Sequence, residues 1–479
     1  MTLSEFITKL DDIAWGSVVL CLLVGVGVIL TISTRFLQFR KFGYAMRNTL
    51  GKVFKKQTAG HGEVTPLQAL TTALAATVGT GNIAGVTGAI VIGGPGAVFW
   101  MWLSALVGMC TKFAEVTLAV KYRERNDKGD WVGGPMYYIK NGLGEGFGWL
   151  GVLFCLFGAL AAFGIGNATQ VQSIGECIGS AIDALGGNVR GTMISFAGNE
   201  FTLCNLIVGI IVAVIVALVL FGGIKRIGSV TEKIVPVMAV VYIVASLVVI
   251  FANIGHIGQV FAMIFKGAFN AEAALGGAFG ITIASSITKG IARGCFSNEA
   301  GLGSAPMAHA ATSETDPVKQ GMFGIFEVFM DTIVICTLTA LTVLCCYCSG
   351  GNEIAWGTSG GASIVSASLS SVLGGGLGSV ILALCLALFA LSTILSWALY
   401  GSRCCEYIFK STKCIKPYYV IFMIITLVGC QMGSGLAWDI ADTLNGLMAI
   451  PNLVALIGLS GVVVKLVKDH FKGQERLSK

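Results

Sequence analysis

Apolar runs of membrane-spanning length recur along the whole chain, separated by short polar stretches. Eleven can be read, at roughly 13–34, 65–92, 95–122, 147–183, 204–223, 231–254, 272–297, 320–348, 375–407, 417–434 and 440–467. A perpendicular transmembrane helix needs about 20 residues, so several of these must tilt, break or protrude. No segment alternates with the period-two pattern of a barrel strand. Backbone polar groups must satisfy each other inside lipid, so each run is expected to be a helix. Over 479 residues, 55% are hydrophobic and 12% charged, and the mean hydropathy is +0.83. A soluble chain carries about a quarter of its residues as charge. This excludes a soluble, disordered or nucleic-acid-binding protein and predicts an all-α polytopic membrane protein. The tail, 468–479, is read as a basic segment outside the last span.

Charge sets the orientation. Of 31 Lys and Arg, 27 fall in alternate connections and the tail, including Arg35–Lys56, Lys121–Lys140, Lys225–Lys233, Lys289, Arg293, Lys319 and Arg403–Lys416. By the positive-inside rule the N-terminus lies outside and the C-terminus in the cytoplasm. Fifteen Cys lie mostly in apolar runs, which does not suit a disulfide framework. The single C-x-x-C, Cys345 to Cys348, has neither a second pair nor a nearby His.

Span 2 contains Thr77-Val-Gly-Thr-Gly-Asn-Ile-Ala-Gly-Val86. Each Gly weakens a helix by about 1 kcal/mol relative to Ala. The stretch Pro66 to Val78 is about half a membrane long at a helical rise, so a break is expected near mid-membrane. Such a break is tolerated only in protein or beside a wet cavity. A shift of 216 residues lays Gly81-Asn82-Ile83-Ala84-Gly85 over Ser297-Asn298-Glu299-Ala300-Gly301, near span 7. Five spans separate the two, so units 65–256 and 257–467 would enter the membrane from opposite faces, as inverted repeats. Residues 1–64, holding span 1 and a basic loop, stand outside the repeat. Because Lys289 and Arg293 precede Ser297, the break in span 7 can also be placed at Gly276-Gly-Ala-Phe-Gly280.

A broken helix exposes N–H groups that suit a carboxylate and C=O groups that suit a cation. The N–H groups of Thr80 and Gly81, flanked by Gly79 and Asn82, are candidates for the first. The carbonyls of Ala75 and Val78 are candidates for Na⁺. Span 9 adds adjacent hydroxyls, Ser392 and Thr393. Span 4 carries Phe163, Asn167 and Gln170, the two amides at i, i+3 on one face; they suit either a substrate ammonium or a neighbouring helix. Glu327 and Asp331 on span 8, and Lys289 and Arg293 at the inner end of span 7, read as interspan partners. Lys112 and Glu115 read as a local i, i+3 pair. The G-x-G-x-x-x-G run lacks the strand a dinucleotide fold needs. Gly357-Thr-Ser-Gly360 has no well-placed His, so no enzyme is expected.

These residues resemble the alanine/glycine:cation symporter family. The resemblance runs from span 1 to span 11. It is carried by Ala73-Leu-Ala-Ala-Thr-Val-Gly-Thr-Gly-Asn-Ile-Ala-Gly85, Gly133-Gly-Pro-Met-Tyr-Tyr138 and Ala162-Phe-Gly-Ile-Gly-Asn167. Phe296-Ser-Asn-Glu-Ala-Gly-Leu-Gly-Ser-Ala-Pro306 and Trp438-Asp-Ile-Ala-Asp-Thr-Leu-Asn-Gly-Leu-Met-Ala-Ile-Pro-Asn452 extend it. It implies a leucine-transporter-like 5+5 inverted repeat after one extra helix, in the cell membrane. It implies Na⁺-driven, sometimes H⁺-driven, uptake of alanine or glycine, with no cofactor beyond the coupling ion. Gly79 to Asn82 would be the binding break, and Ser392 and Thr393 would stand beside Na⁺. Gln170 and Trp397 would line the pocket, Gln172 leaving open which amide makes contact. With Phe163 and Trp397 closing it, the pocket should admit nothing much beyond a methyl side chain. A related carrier of another small solute, and a channel or transport-like receptor, are the alternatives. Oligomeric state cannot be read from the sequence.

Overall fold

The computed structural model describes residues 9–10, 14–53, 58–189, 191–196, 199–270, 282–357, 361–431 and 436–477. The Gly276–Gly280 run and 358–360 lie outside the described residues. Among the described residues helices dominate, and strands form two short hairpins, Glu124–Arg125 with Trp131–Val132 and Met193–Phe196 with Asn199–Thr202.

Among the described residues, seven helices are long and apolar enough to cross a membrane, and nine if two bent pairs each count once. Spans 3, 5, 6 and 10 are Ala97–Lys121, Leu203–Leu220, Gly223–Ala252 and Thr412–Gly429. Span 9 is the unbroken helix Gly375–Phe409. Spans 4 and 8 each contain a π-helical turn, at Gly164–Ala168 and Phe329–Cys336. Lipid-facing positions stay apolar, as at Leu218, Val237 and Ile424, because such a helix is hydrophobic all round.

The remaining expectations divide. Span 1 is the apolar helix Ser17–Ser33, whose 17 residues are at the short end of what crosses a bilayer. Span 2 is broken as expected: Pro66–Thr77 and Thr80–Gly93 meet at 55°. Its start is fixed by Pro66 and by a capping box in which Thr65 and Gln68 satisfy each other's N–H groups. Of span 7, the described residues form the helix Ile283–Asn298. The chain then turns through Glu299 at φ 54°, Gly301 at 96° and Gly303 at 82° before the short helix Pro306–His309. The described break therefore falls at the echo of the span 2 motif. Span 11 ends at Gly458, not near 467, and bends 57° into a further helix that runs from Ser460 to Leu477. The basic tail, 468–479, is thus helical as far as Leu477. Its Phe471 and His470 pack on Tyr44, in the helix Phe42–Val53 of the loop after span 1.

Two charge assignments need correction. Lys112 does not pair with Glu115 but with Glu327, its Nζ 3.4 Å from Oε1, both side chains fully buried. Lys289 and Arg293 pair with neither Glu327 nor Asp331. They lie at the opposite end of the bundle from Lys319: a Cβ on Gly93, at the far end of span 2, would come within 3.1 Å of the Lys289 Cβ. Moving both leaves 25 of the 31 cations on the basic side, so the asymmetry persists.

Candidate functional site

The two breaks and spans 4 and 9 converge on one small cavity. In span 2 the helix stops at Val78, whose ψ of 90° and the following extended Gly79 carry the chain out of helical geometry. A single 3-10 turn, Thr80–Asn82, leads into the half-helix Ala84–Gly93. The N–H groups of Thr80 and Gly81 precede the first hydrogen bond of that turn and so face outward from it. Gly79 N–H donates to Asn82 Oδ1 at 2.8 Å. Gly is required at 79 by close approach, since a Cβ there would lie 2.8 Å from Thr393 Oγ1.

Asp331, carried by the π-helical turn of span 8, ties the breaks together. Its carboxylate accepts from Asn82 Nδ2 at 2.6 Å, Ser297 Oγ at 2.9 Å and Thr332 Oγ1 at 2.8 Å. The second break is held from its other side: Glu115 Oε1 accepts from Gly301 N–H at 3.1 Å and Asn452 Nδ2 at 2.6 Å. Fully buried carboxylates need such partners. Glu327 finds its own in Lys112 and in His309, 3.1 Å away.

Span 9 presents its hydroxyls to the carbonyl end of the first half-helix. Thr393 Oγ1 lies 2.9 Å from Ala75 O and Ser392 Oγ 3.4 Å from it. Both hydroxyls also reach Phe389 O, at 3.0 and 2.8 Å. This groups the oxygens of Ala75, Phe389, Ser392 and Thr393, next to Val78. All are hard donors of the kind Na⁺ takes. Phe389 was not legible in the sequence as a contributor, because a carbonyl leaves no side-chain signal; back-bonding from serine and threonine three and four residues on is its one hint.

The cavity holds about 20 Å³ and is lined by Gly79, Thr80, Gly81, Gln170, Thr393 and Trp397 from the predicted set. Gln170 Nε2 donates to Ile165 O at 3.0 Å across the π-helical turn, and its Oε1 accepts from Thr80 Oγ1 at 3.3 Å. The amide therefore turns an oxygen toward the cavity. Trp397 packs against Gly166, where a Cβ would come within 2.2 Å of the Trp397 Cβ.

Three of the predicted substrate residues are not brought to the cavity. Asn82 is buried behind the break, on Asp331. Asn167 faces span 10, donating to Phe422 O at 2.6 Å and accepting from Thr426 Oγ1 at 2.9 Å. Phe163 stacks on Tyr418 of span 10, ring centroids 4.8 Å apart. Residues that the sequence reading left unassigned also line it, among them Phe296, Ser297, Glu299 and Asn445. Glu299 brings a carboxylate, held by the Ser304 hydroxyl. The echo motif contained it, but nothing in the sequence said which way it pointed.

The model of the sodium:alanine symporter family matches residues 1–479. The chain is 43% identical over 470 residues to the sodium/alanine symporter AgcS of Methanococcus maripaludis, covering 98% of this chain and 97% of that one. It is 42% identical over 473 residues to an uncharacterized transporter of Haemophilus influenzae, covering 98% and 97%. The crystal structure of MhsT in complex with L-phenylalanine matches 85% of this chain and 99% of its own, with a TM-score of 0.58 at 14% identity. That likeness is one of fold. With its span pattern and the family match over the full length, this chain belongs to the sodium:alanine symporter family and is a multi-pass membrane transporter, not an enzyme.

Proposed function

We propose that the chain imports alanine or glycine together with Na⁺ by alternating access. The observation that carries this is the contact between Ala75 O, at the carbonyl end of the broken helix, and the Thr393 and Ser392 hydroxyls. Na⁺ would sit among those oxygens, with the carbonyls of Val78 and Phe389. The substrate carboxylate would take the N–H groups of Thr80 and Gly81, where the positive end of the next half-helix favours an anion. Its ammonium would meet Gln170 Oε1 and the Glu299 carboxylate. A carboxylate bound one residue beyond a cation site makes each ligand favour the other, which is the physical basis of coupling.

The reading extends to the whole molecule. Eleven spans would be arranged as one extra helix followed by inverted repeats over 65–256 and 257–467, in the cell membrane, N-terminus outside. The echo of the two breaks and the surviving charge asymmetry support this. Glu299 favours a second reading of the coupling ion, H⁺, because a carboxylate at the cavity can carry a proton. Uphill alanine accumulation in proteoliposomes tests both. Dependence on a Na⁺ gradient supports the first; undiminished uptake in Na⁺-free buffer with a pH gradient replaces it with the second. Absence of any accumulation removes symport.

A further inference from the structure

A second, larger cavity of about 560 Å³ adjoins the central one and shares Thr80, Gly81, Ile165, Gln170 and Phe296 with it. It extends along the half-helix Ala84–Gly93 to Gly361 and Ala362. Three charged side chains line it: Lys289 and Arg293 from the span 7 helix, and Glu176 from span 4. Lys289 and Arg293 are one turn apart and therefore on one face. Glu176 accepts from Gln172 Nε2 at 3.0 Å. Among the described residues, no ion pair joins Glu176, Lys289 or Arg293 to an opposite charge. The Arg293 guanidinium lies over the Phe296 ring, 5.2 Å from its centroid. Glu176 and Lys289 are exposed and Arg293 is half-buried, so these charges line a wet vestibule at this end of the bundle.

We propose that this antechamber is a first-contact site for a free α-amino acid. Lys289 and Arg293 receive the carboxylate and Glu176 the ammonium, before the amino acid passes Phe296 into the central cavity. The inference rests on the amino-acid symport reading above and adds a site to it. A zwitterion has no net charge, so long-range attraction does not draw it in. Two opposite charges on facing walls instead orient it at short range. Because Arg293 rests on the ring that both cavities share, drawing the guanidinium toward a carboxylate uncovers that ring. An uncharged solute of the same size gains nothing from either wall.

The test is Na⁺-driven uptake of alanine by wild type, K289Q/R293Q, E176Q and R293K in proteoliposomes. The apparent KM of K289Q/R293Q and of E176Q is expected to rise about two- to fivefold, the range for solvated charges, with Vmax and half-activation by Na⁺ unchanged. R293K, which keeps the charge, should stay near wild type. Added choline chloride should shrink the difference, because salt screens exposed charges. An unchanged KM in K289Q/R293Q overturns the proposal. So does a loss confined to Vmax, or a salt-independent effect that R293K shares, since these mark a structural role. A wild type without Na⁺-dependent alanine uptake instead overturns the symport reading, and this proposal with it.

Discussion

Replacing Thr393 by Ala removes one oxygen from the group beside the span 2 break and leaves the helix intact. The hydroxyl lies 2.9 Å from Ala75 O and 3.0 Å from Phe389 O, in a side chain that is 2% exposed. A hydrogen-bonding or ligating oxygen facing a charge is worth about 1.5–3 kcal/mol. The Na⁺ concentration for half-maximal uptake should therefore rise roughly tenfold to 150-fold. Thr393 also lines the central cavity, so alanine affinity will move as well, and the two causes must be separated. If Thr393 acts through Na⁺, saturating Na⁺ restores the wild-type alanine KM, because linkage passes the effect through ion occupancy. Thr393→Ser, which keeps the oxygen and loses a methyl, should behave nearly as wild type. The assay is alanine uptake by proteoliposomes against Na⁺ concentration, with choline holding ionic strength constant. An unchanged Na⁺ half-activation, combined with an alanine KM that saturating Na⁺ does not restore, would refute the cation role and leave Thr393 as a wall of the pocket.

Other outcomes follow from the same geometry. Trp397→Ala should let valine and leucine compete with labelled alanine, whereas in wild type they compete poorly; equal competition by leucine and alanine in wild type would remove the small-pocket argument. Gly166→Ala should push Trp397 into the cavity, since the new Cβ meets it at 2.2 Å; overpacking costs about 1–3 kcal/mol, so alanine affinity should fall roughly tenfold to hundredfold, and unaltered affinity would show that the tryptophan does not bound the site. Glu327→Gln should leave Lys112 buried without its ion-pair partner and destabilise by about 3–5 kcal/mol; the reading is a lower unfolding temperature in detergent, and an unchanged one would show that the pair contributes nothing. At the surface, hydrogen bonding and the charge of His470 hold the Asp316 carboxyl below the usual Asp range despite the opposing effect of burial, the His470 Nδ1 lying 2.7 Å from it. A depressed folded-state value means that this tether of the C-terminal helix is present above the ordinary Asp range, near pH 4, and is lost as pH falls through the folded value. Hydrogen exchange across 460–477 should therefore stay slow from neutral pH down to that range and quicken below it, and Asp316→Asn should remove the dependence.

What the sequence determined on its own was whatever solvent and local backbone preference dictate. Lipid demands long apolar helices, so most spans could be read from hydropathy. Glycines on both sides of Thr80 with a trailing Asn82 announced the break, and Ser392 beside Thr393 announced two oxygens on one helix. Tertiary structure decided the rest, each time because a contact joins residues far apart in the chain or a local geometry departs from the assumed period. Asn167 and Gln170 share a face only on an ideal α-helix; the π-helical turn Gly164–Ala168 inserts an extra residue, so Gln170 reaches the cavity while Asn167 and Phe163 turn to span 10. Lys112 ignores Glu115 three residues on and takes Glu327, 215 residues away, because the packing of span 8 on span 3 closes that distance. Lys289 and Arg293 escape the charge rule because they line a cavity rather than flank a span. Glu299 faces the cavity because Glu299, Gly301 and Gly303 hold positive φ, a turn that hydropathy does not record and that only the packing of both breaks around Asp331 explains.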